Sequence, residues 1–349
     1  MFFIVVGSQY GGEGKGKISA ALAASIGPSI VCRSGGINSS HTVVDSRGTY
    51  RFRMLPTSVS VGGRELIYFG AGSLIHLPTL EKEVEDWRIE KKRILIDSRA
   101  GIVSDEIIER QREDLRYQAI GSTLTGTGYA TADRALRQLT LAGSIDSIDF
   151  PIGDVSSALR KAHCNGVDIL VEGHQGYGLS NYHGDYPYCS SRDCTSSAIL
   201  SEIGVGPVRD LEVILAVKTF ETRNHPGFLS DEIDLSLMDR LGIREFGGGF
   251  STISNNRRRA GHLNIDLIKR AVWANGASGI AITCLDYLFE DCAGASDWDA
   301  LKPDAKRYVK WIESHTNIPV KMVSTGRESG CTIIRKSTEH GRSSTSSKV

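Results

Sequence analysis

The sequence has no excess of either charge, since its 41 Lys and Arg residues are matched by 41 Asp and Glu residues. Proteins that bind nucleic acid or membrane surfaces electrostatically carry a basic excess. The balance therefore argues against both partners, although it allows a local basic patch. No apolar stretch approaches the roughly 20 residues of a membrane span, and the apolar N-terminal run is too short for a signal peptide. We expect a cytoplasmic protein.

Cysteine pairs with metal-binding spacing are also missing. The seven cysteines are scattered, and no CxxC motif occurs among them. An odd and scattered set argues against a disulfide framework and against a zinc site. Reduced cysteines in a cytosolic protein are the simplest account.

The most informative segment is residues 7–17, GSQYGGEGKGK. We predict a buried strand over 2–6 before it and a helix over 18–26 after it. A glycine-rich turn from strand to helix presents backbone N–H groups and the positive end of the helix dipole, which favours phosphate. Ile18 stands where the standard phosphate-binding loop has Ser or Thr for magnesium, so this loop is a variant.

Strand-like apolar segments alternate with helical segments along the chain. The predicted strands are 2–6, 30–33, 66–69, 93–96, 168–171, 213–219, 280–283 and 320–323. The further predicted helices are 105–117, 131–141, 155–163, 265–274 and 305–315. This alternation indicates an α/β fold with a largely parallel central sheet flanked by helices, whose ligands bind at the carboxyl ends of the strands. We expect one domain over 1–335 and a disordered polar tail over 336–349.

Two further loops combine glycines with polar residues. Residues 35–42, GGINSSHT, carry His41, a candidate proton donor near neutral pH. Residues 121–128, GSTLTGTG, precede a predicted helix and are a candidate anion site, with Arg134 and Arg137 one turn apart on that helix. The alternatives are a structural histidine in the first loop and a flexible segment in the second.

A basic run occupies residues 257–259, RRR, between stretches rich in Ser, Thr and Asn. Such runs are usually solvated surface. On a loop, this one is also a candidate clamp for a dicarboxylate.

Taken together, these segments resemble the adenylosuccinate synthetase family. The matching motifs are GSQYGGEGKGK (7–17), NSSHT (38–42), VEGHQG (171–176), YPYCSS (186–191), RRAG (258–261), LD (285–286) and STGR (324–327). Seven motifs in the family's order, spread over roughly residues 1–335, are far more specific than any one of them. The length resembles that of the short, archaeal-type members.

The resemblance implies a two-step ligase reaction. A nucleoside triphosphate phosphorylates the 6-oxygen of a purine nucleotide, and the amine of L-aspartate then displaces that phosphate. Mg²⁺ bridges the phosphates. The glycine loop, the lysines and the candidate arginine clamp are the residue types that such chemistry needs.

The resemblance also implies roles for individual residues. Catalysis falls to His41 as general acid, to Lys15 as a stabiliser of charge, and to Gln175, which orients the 6-oxygen. The implied substrate-nucleotide residues are Gly12, Asn38, Ser122, Thr123, Arg137, Gln175, Ser190 and Asn256. The implied donor-nucleotide residues are Gly14, Lys15, Gly16, Lys17, His41, Thr42, Arg258, Asp286, Ser324 and Gly326. The implied aspartate-binding residues are Thr252, Ile253, Ser254, Asn255 and Arg258. The implied magnesium positions are Gly12 and Ser40, the latter through its backbone oxygen. Arg137 reaches the substrate phosphate of a neighbouring subunit, which implies a homodimer.

Three positions depart from the family pattern. Gly12 stands where ordinary members carry an aspartate that removes the N1 proton of IMP and helps to bind magnesium. Asn256 replaces an arginine near the substrate ribose, and Cys284 replaces the lysine of a guanine-reading motif. Losing the carboxylate opens space beside the purine 2-position, where guanine carries an amino group, and losing the arginine weakens recognition of a 2′-hydroxyl.

These departures resemble a phage branch of the family. That branch condenses dGMP with L-aspartate, using ATP or dATP, to make N6-succino-2-amino-2′-deoxyadenylate for 2-aminoadenine DNA. Two alternatives stay open: an ordinary adenylosuccinate synthetase that uses IMP and GTP, and an inactive nucleotide-binding paralogue. Glu13, water and the substrate aspartate are the candidates for the missing base.

Overall fold

The computed structural model describes residues 1–224, 226–233 and 259–335. Some of the predicted positions lie outside these ranges. They are Thr252, Ile253, Ser254, Asn255, Asn256, Arg258 and the tail 336–349.

The described part of the chain is built around a ten-stranded sheet and the twelve-residue helix that follows the first strand. The strands are β1 (Phe2–Gly7), β2 (Ile30–Arg33), β3 (His41–Asp45), β4 (Gly48–Phe52), β5 (Leu66–Phe69), β6 (Leu74–Ile75), β7 (Ile94–Asp97), β8 (Gly101–Ile102), β9 (Ile152–Gly153), β10 (Ile169–Glu172), β11 (Leu211–Lys218), β12 (Glu221–Arg223), β13 (Arg259–Gly261), β14 (Gly279–Thr283), β15 (Val320–Ser324) and β16 (Thr332–Ile334). The helices are α1 (Lys15–Ile26), α2 (Leu77–Asp86), α3 (Asp105–Glu113), α4 (Leu115–Ala119), α5 (Thr127–Ala135), α6 (Val155–Cys164), α7 (Ser196–Glu202), α8 (Ile265–Asn275), α9 (Leu285–Leu288) and α10 (Pro303–Thr316).

Ten of these strands form one sheet in the order β16-β15-β14-β11-β1-β10-β2-β5-β7-β9. All neighbours are parallel except β15 and β16. The alternating side chains of β1 enter both layers of the core. Ile4 and Val6 pack in one hydrophobic cluster, whereas Val5 packs in the other with Ile18 and Leu22 of α1. Helices therefore cover both faces, and the predicted α/β class is confirmed.

The eight predicted strands are present with ends shifted by at most two residues. Two predicted helices are wrong in their bounds. The helix expected over 105–117 breaks into α3 and α4, because the Asp114 side chain caps α4 by accepting a hydrogen bond from Arg116 N. The helix expected over 131–141 runs over Thr127–Ala135 instead.

The end of α5 removes Arg137 from the helix. Arg137 has a φ of 62°, in the left-handed region that usually selects glycine. Gln138 N donates to Asp133 O at 2.8 Å, and Arg137 N donates to Arg134 O at 3.1 Å. This pair of hydrogen bonds is the Schellman termination of a helix. Arg134 and Arg137 therefore do not lie one turn apart on a helix, contrary to the sequence prediction.

One antiparallel hairpin was missed entirely. β3 and β4 pair from His41 with Phe52 to Asp45 with Gly48, so His41 opens a strand rather than lying in a loop. Within the described ranges, no helix is both long and apolar enough to cross a bilayer.

Candidate active site

A cleft of about 390 Å³ opens at the carboxyl ends of the parallel strands. It is lined by parts of residues 10–17, 38–51, 111–128, 175–191, 218–224, 283–287 and 324–327. These segments follow β1, β2, β10, β11, β14 and β15, or lie in the hairpin and in the helical region that packs beside them. Its volume falls in the usual range of ligand pockets, and its position is the one that a parallel sheet predicts.

The charge of the cleft wall has one sign. Among the described lining residues, five are Lys or Arg and none is Asp or Glu. The five are Lys15, Lys17, Arg51, Lys218 and Arg327. A concave, basic wall of this kind suits polyanionic ligands such as nucleotides.

The buried carboxylate of Glu13 holds the glycine-rich loop in place. Its Oε1 accepts hydrogen bonds from Gln9 N at 3.0 Å and Gly11 N at 2.9 Å, and its Oε2 forms an ion pair with Lys15 Nζ at 2.7 Å. The carboxylate is fully buried and does not line the cleft. Because both oxygens are engaged, Glu13 is a poor candidate for the missing general base.

The loop leads into α1 through Gly14, whose φ of 78° is left-handed. Gly16 lies so close to the hairpin that an added Cβ would stand 2.7 Å from His41 Cβ. Glycine at this position is therefore required for His41 to reach the loop. The two glycine-rich segments, residues 7–17 and 35–42, therefore face each other.

His41 belongs to a buried network that the sequence did not reveal. Its Nδ1 lies 2.5 Å from Glu172 Oε1, and Arg33 Nη1 lies 3.3 Å from the same oxygen. Glu172 Oε2 accepts from Thr57 N at 2.9 Å and from Thr57 Oγ1. Ser39 Oγ lies 3.3 Å from His41 Nε2. The network fixes the ring so that Nδ1 faces Glu172 and Nε2 faces the cleft side.

Burial and the charge of Arg33 oppose protonation of His41, and together they outweigh the Glu172 carboxylate, which favours it. Burial, and then the nearby charge of Arg33, lower the pKa of His41 to about 4. Burial acts against ionisation of Glu172, but His41, Arg33 and Thr57 outweigh it and hold the pKa of this carboxyl below its usual range. We infer a neutral imidazole that donates from Nδ1 to an ionised Glu172. An anionic phosphate placed near Nε2 would raise the pKa of His41, as general acid chemistry requires.

Lys17 connects the loop to the end of β15. Its Nζ donates to Ser324 Oγ at 2.7 Å, Gly326 O at 2.5 Å and Cys331 O at 3.2 Å. Burial lowers the pKa of Lys17 to about 8. The predicted donor-nucleotide residues Lys17, Ser324 and Gly326 are thus brought into contact.

A buried glutamine holds the hydroxyl-rich loop over residues 121–128. Gln111 Nε2 donates to Ser122 Oγ at 2.9 Å, and its Oε1 accepts from Gly128 N at 3.0 Å. Ser122 and Thr123 line the cleft, as does the first turn of α5. Gln111 gives no sequence signal of its own, because a glutamine on a helix is ordinary.

A fully buried arginine holds the segment 185–191. Arg223 Nη2 donates to Tyr188 O at 2.5 Å, and Nη1 donates to Asp185 Oδ2 at 3.2 Å and to Phe228 O. Its guanidinium lies 4.6 Å from the ring centroid of Tyr10. Arg223 therefore fixes the wall that carries Ser190 relative to the glycine-rich loop.

Most of the predicted site residues that the structure describes line the cleft. They are Gly12, Gly14, Lys15, Gly16, Lys17, Asn38, Ser40, His41, Thr42, Ser122, Thr123, Gln175, Ser190, Ser324 and Gly326. Two do not. Asp286 lies in the first turn of α9, half-buried and outside the lining, and burial raises its pKa. Arg137 is exposed and donates to Ala135 O at 3.0 Å.

Comparison with known proteins agrees with this geometry. The family model for adenylosuccinate synthetase matches residues 4–149 and 139–290. The chain belongs to the adenylosuccinate synthetase family. The adenylosuccinate synthetase of Methanococcus aeolicus is 39% identical over 335 residues, covering 95% of this chain and 98% of that protein. The enzyme of Archaeoglobus fulgidus is 37% identical over 327 residues, covering 93% and 95%.

Solved structures show the same adenylosuccinate synthetase fold. The fully ligated adenylosuccinate synthetase of Plasmodium falciparum aligns with a TM-score of 0.87 at 23% identity, covering 96% of this chain and 99% of that one. The cyanophage S-2L succinoaminodeoxyadenylate synthetase, bound to dGMP and dATP, aligns with a TM-score of 0.81 at 23% identity, covering 96% and 95%. Its membership of the family, shown by the family model and the archaeal relatives, makes the chain a carbon–nitrogen ligase of the adenylosuccinate synthetase type.

Proposed function

We propose that this ligase condenses dGMP with L-aspartate, using ATP or dATP, to form N6-succino-2-amino-2′-deoxyadenylate for 2-aminoadenine DNA. The observation that carries the proposal is Gly12. It lies in the cleft with a φ of 72°, and a Cβ added there would meet only Thr222 Oγ1, at 3.4 Å. The cleft therefore has space for a Cβ at position 12, on a left-handed backbone that favours glycine, and Gly12 places no side chain there.

An empty position 12 changes which purine fits. A carboxylate there accepts a proton from N1 and occupies the space next to the 2-position. Without it, the 2-amino group of guanine has room, and a buried site shaped for one pattern rejects the other. The cyanophage enzyme that shares the fold was solved with dGMP and dATP, which supports the same substrate pair for this chain.

Glu13 is the poorest of the three candidates for the base that removes the N1 proton, because its carboxylate oxygens are engaged by Gln9 N, Gly11 N and Lys15 Nζ. Water and the amino acid substrate are the better candidates.

Magnesium fits the site as a phosphate-bound ion. The described residues contain no cluster of three or more His, Cys, Asp or Glu that could hold a metal. Ser40, half-buried in the cleft wall, offers a backbone oxygen. Mg²⁺ commonly binds through substrate phosphates with few protein ligands. When bound, it would neutralise charge on the phosphates, while Lys15 and His41 act on the transferring group.

The second candidate function is ordinary adenylosuccinate synthesis from IMP with GTP. The archaeal relatives at 37–39% identity, all named adenylosuccinate synthetases, favour it.

Cys284, in a left-handed conformation at the start of α9, bears on which donor nucleotide is used. A thiol there cannot replace a lysine that reads guanine, which favours an adenine donor.

The homodimer with Arg137 in the partner's site is also part of the proposal. Arg137 lies outside its own cleft lining and is exposed, which leaves it accessible to a second subunit. Sedimentation of the purified protein distinguishes a dimer from a monomer, and loss of dGMP affinity in R137A without loss of the dimer would support the role in the partner's site.

The test of function is phosphate release with Mg²⁺ and L-aspartate, comparing dGMP, GMP and IMP with ATP, dATP and GTP. We expect release with dGMP well above IMP, and a succinylated product by mass. Release with IMP and GTP alone would establish the ordinary synthetase instead. No release under any condition would favour an inactive nucleotide-binding protein.

A matched pair of variants tests the role of position 12. G12D and G12N add side chains of nearly equal shape, and Asp and Asn tolerate a left-handed backbone better than other residues. Both should lower kcat/KM for dGMP by at least about tenfold through crowding of the 2-amino group. Only G12D should gain activity with IMP, because only it restores a carboxylate. Equal behaviour of the two variants would remove Gly12 as the specificity determinant.

A further inference from the structure

The β3–β4 hairpin region carries three arginines, and one of them faces the cleft. Arg47 donates to Ser60 O at 2.7 Å, and Arg53 donates to Ile37 O at 2.9 Å. Arg51 instead lines the cleft and is exposed. Its guanidinium makes no hydrogen bond or ion pair with the residues that the structure describes.

The register of the hairpin places Arg51 beside the glycine-rich loop. Arg51 is directly paired with Thr42, so the two side chains lie on the same face of the hairpin, about 5 Å apart at Cβ. Thr42 follows His41, whose Cβ would lie 2.7 Å from a Cβ built on Gly16. Arg51 is therefore next to the His41–Phe52 pair, where the hairpin contacts the glycine-rich loop.

The same face of the hairpin adjoins the segment that holds Lys17. Val44 and Thr49 form the next pair on this face and also line the cleft. Ser329 N donates to Val44 O at 2.8 Å, and the preceding residues of that segment, with Ser324, hold Lys17 Nζ. Arg51 thus lies between two elements that the family resemblance assigns to the donor nucleotide.

The other cations of the cleft are already engaged within the protein. Lys15 is paired with Glu13, and Lys17 donates to three oxygens. Lys218 Nζ lies 4.2 Å from the centroid of the Phe220 ring, and Arg327 also has an interaction partner. An arginine without a described partner in a basic cleft has its five donors available for phosphate oxygens, which it binds in a fork geometry.

We propose that Arg51 binds the terminal phosphates of the donor nucleotide. The proposal rests on the ligase chemistry of the family and is independent of whether the substrate nucleotide is dGMP or IMP. The adenine or guanine base does not enter it, since Arg51 would contact only the phosphates.

The experiment measures equilibrium binding of β,γ-imido-ATP with Mg²⁺, and of AMP, in the absence of any substrate nucleotide. R51A should weaken binding of the triphosphate analogue by about 10- to 100-fold, the usual loss of a charged hydrogen bond. Binding of AMP should stay unchanged. R51K should fall between, because an ammonium keeps the charge without the fork.

Arg160 supplies the matched control. It is exposed on α6, outside the cleft, and its side chain also has no partner among the described residues. R160A should bind the analogue like the unmodified protein. Wild-type affinity of R51A for the analogue would overturn the proposal, and so would an equal loss of AMP binding, which would show a structural role. If R51A does not fold, R51Q keeps the polar stem and is read in the same way. Because no substrate nucleotide is present, failure of the dGMP assignment leaves this measurement unaffected.

Discussion

Glu172 is expected to support both stability and catalysis through one buried carboxylate. E172Q preserves shape but removes the charge that Arg33 and His41 share. Glu172 is 1% exposed and Arg33 is 4% exposed, so the substitution leaves a guanidinium buried without its counter-charge. Breaking such a pair costs about 3–5 kcal/mol. For 349 residues, an unfolding entropy of about 2 cal/mol/K per residue converts this into a fall in Tm of about 4–7 °C.

The catalytic consequence of E172Q is separate from the loss of stability. The neutral amide no longer holds His41 in one tautomer or stabilises its protonated form, so we expect kcat to fall by about 10²-fold or more. Scanning calorimetry gives the Tm, and phosphate release gives kcat. D97N is the control, because Asp97 is also fully buried and paired with Arg99, but lies outside the cleft. It should lose stability and keep kcat. An E172Q protein with unchanged Tm and kcat would refute the network as described.

Two further predictions concern pH. The pKa of His41 in the folded chain is about 4, which is below its ordinary value. Between these two values, His41 binds a proton in the unfolded chain and stays neutral in the folded chain. The free energy of unfolding, measured by urea titration at each pH, should fall by about 2 kcal/mol between pH 6.5 and 4.5. H41Q should flatten this dependence on pH. A dependence that persists in H41Q would point to another group. Lys17, with its pKa lowered to about 8 by burial, should make kcat/KM for the donor fall above pH 8, and K17R should remove this limb at a lower plateau. A profile that stays flat to pH 9 in the unmodified protein would contradict it.

The sequence predicts those features of the site that depend on local pattern. The strand, glycine loop and helix over residues 2–26 follow from composition and periodicity, and their meeting with the segment 35–42 follows from the rule that parallel strands end at one edge of a sheet. Arg33 and Glu172 are 139 residues apart, and each alone is an ordinary residue. Their pairing depends on the parallel register of β2 and β10, which no local pattern encodes.

The errors at the helix ends have local causes that composition conceals. Arg137 adopts a left-handed conformation normally taken by glycine, so nothing in the sequence marks the end of α5 there. The β3–β4 hairpin lacks the Asn-Gly or Asp-Gly turn that would have indicated it, since its turn reads Ser46-Arg47. Both features bear on the proposals made above, because one exposes Arg137 and the other turns Arg51 toward the cleft.

The distribution of charge explains how a cleft with no Asp or Glu in its described lining serves a reaction that moves protons and phosphate. Glu13 offsets Lys15, and Glu172 offsets Arg33, so the buried pairs add no net charge to the cleft. Nucleotide phosphates that enter the cleft then meet a wall whose described charged residues are all Lys or Arg. His41, neutral in the free protein because burial and Arg33 oppose its proton, then gains an anionic neighbour that favours the imidazolium. Binding of the donor nucleotide and protonation of His41 are therefore coupled. The pKa of His41 should rise measurably when β,γ-imido-ATP binds.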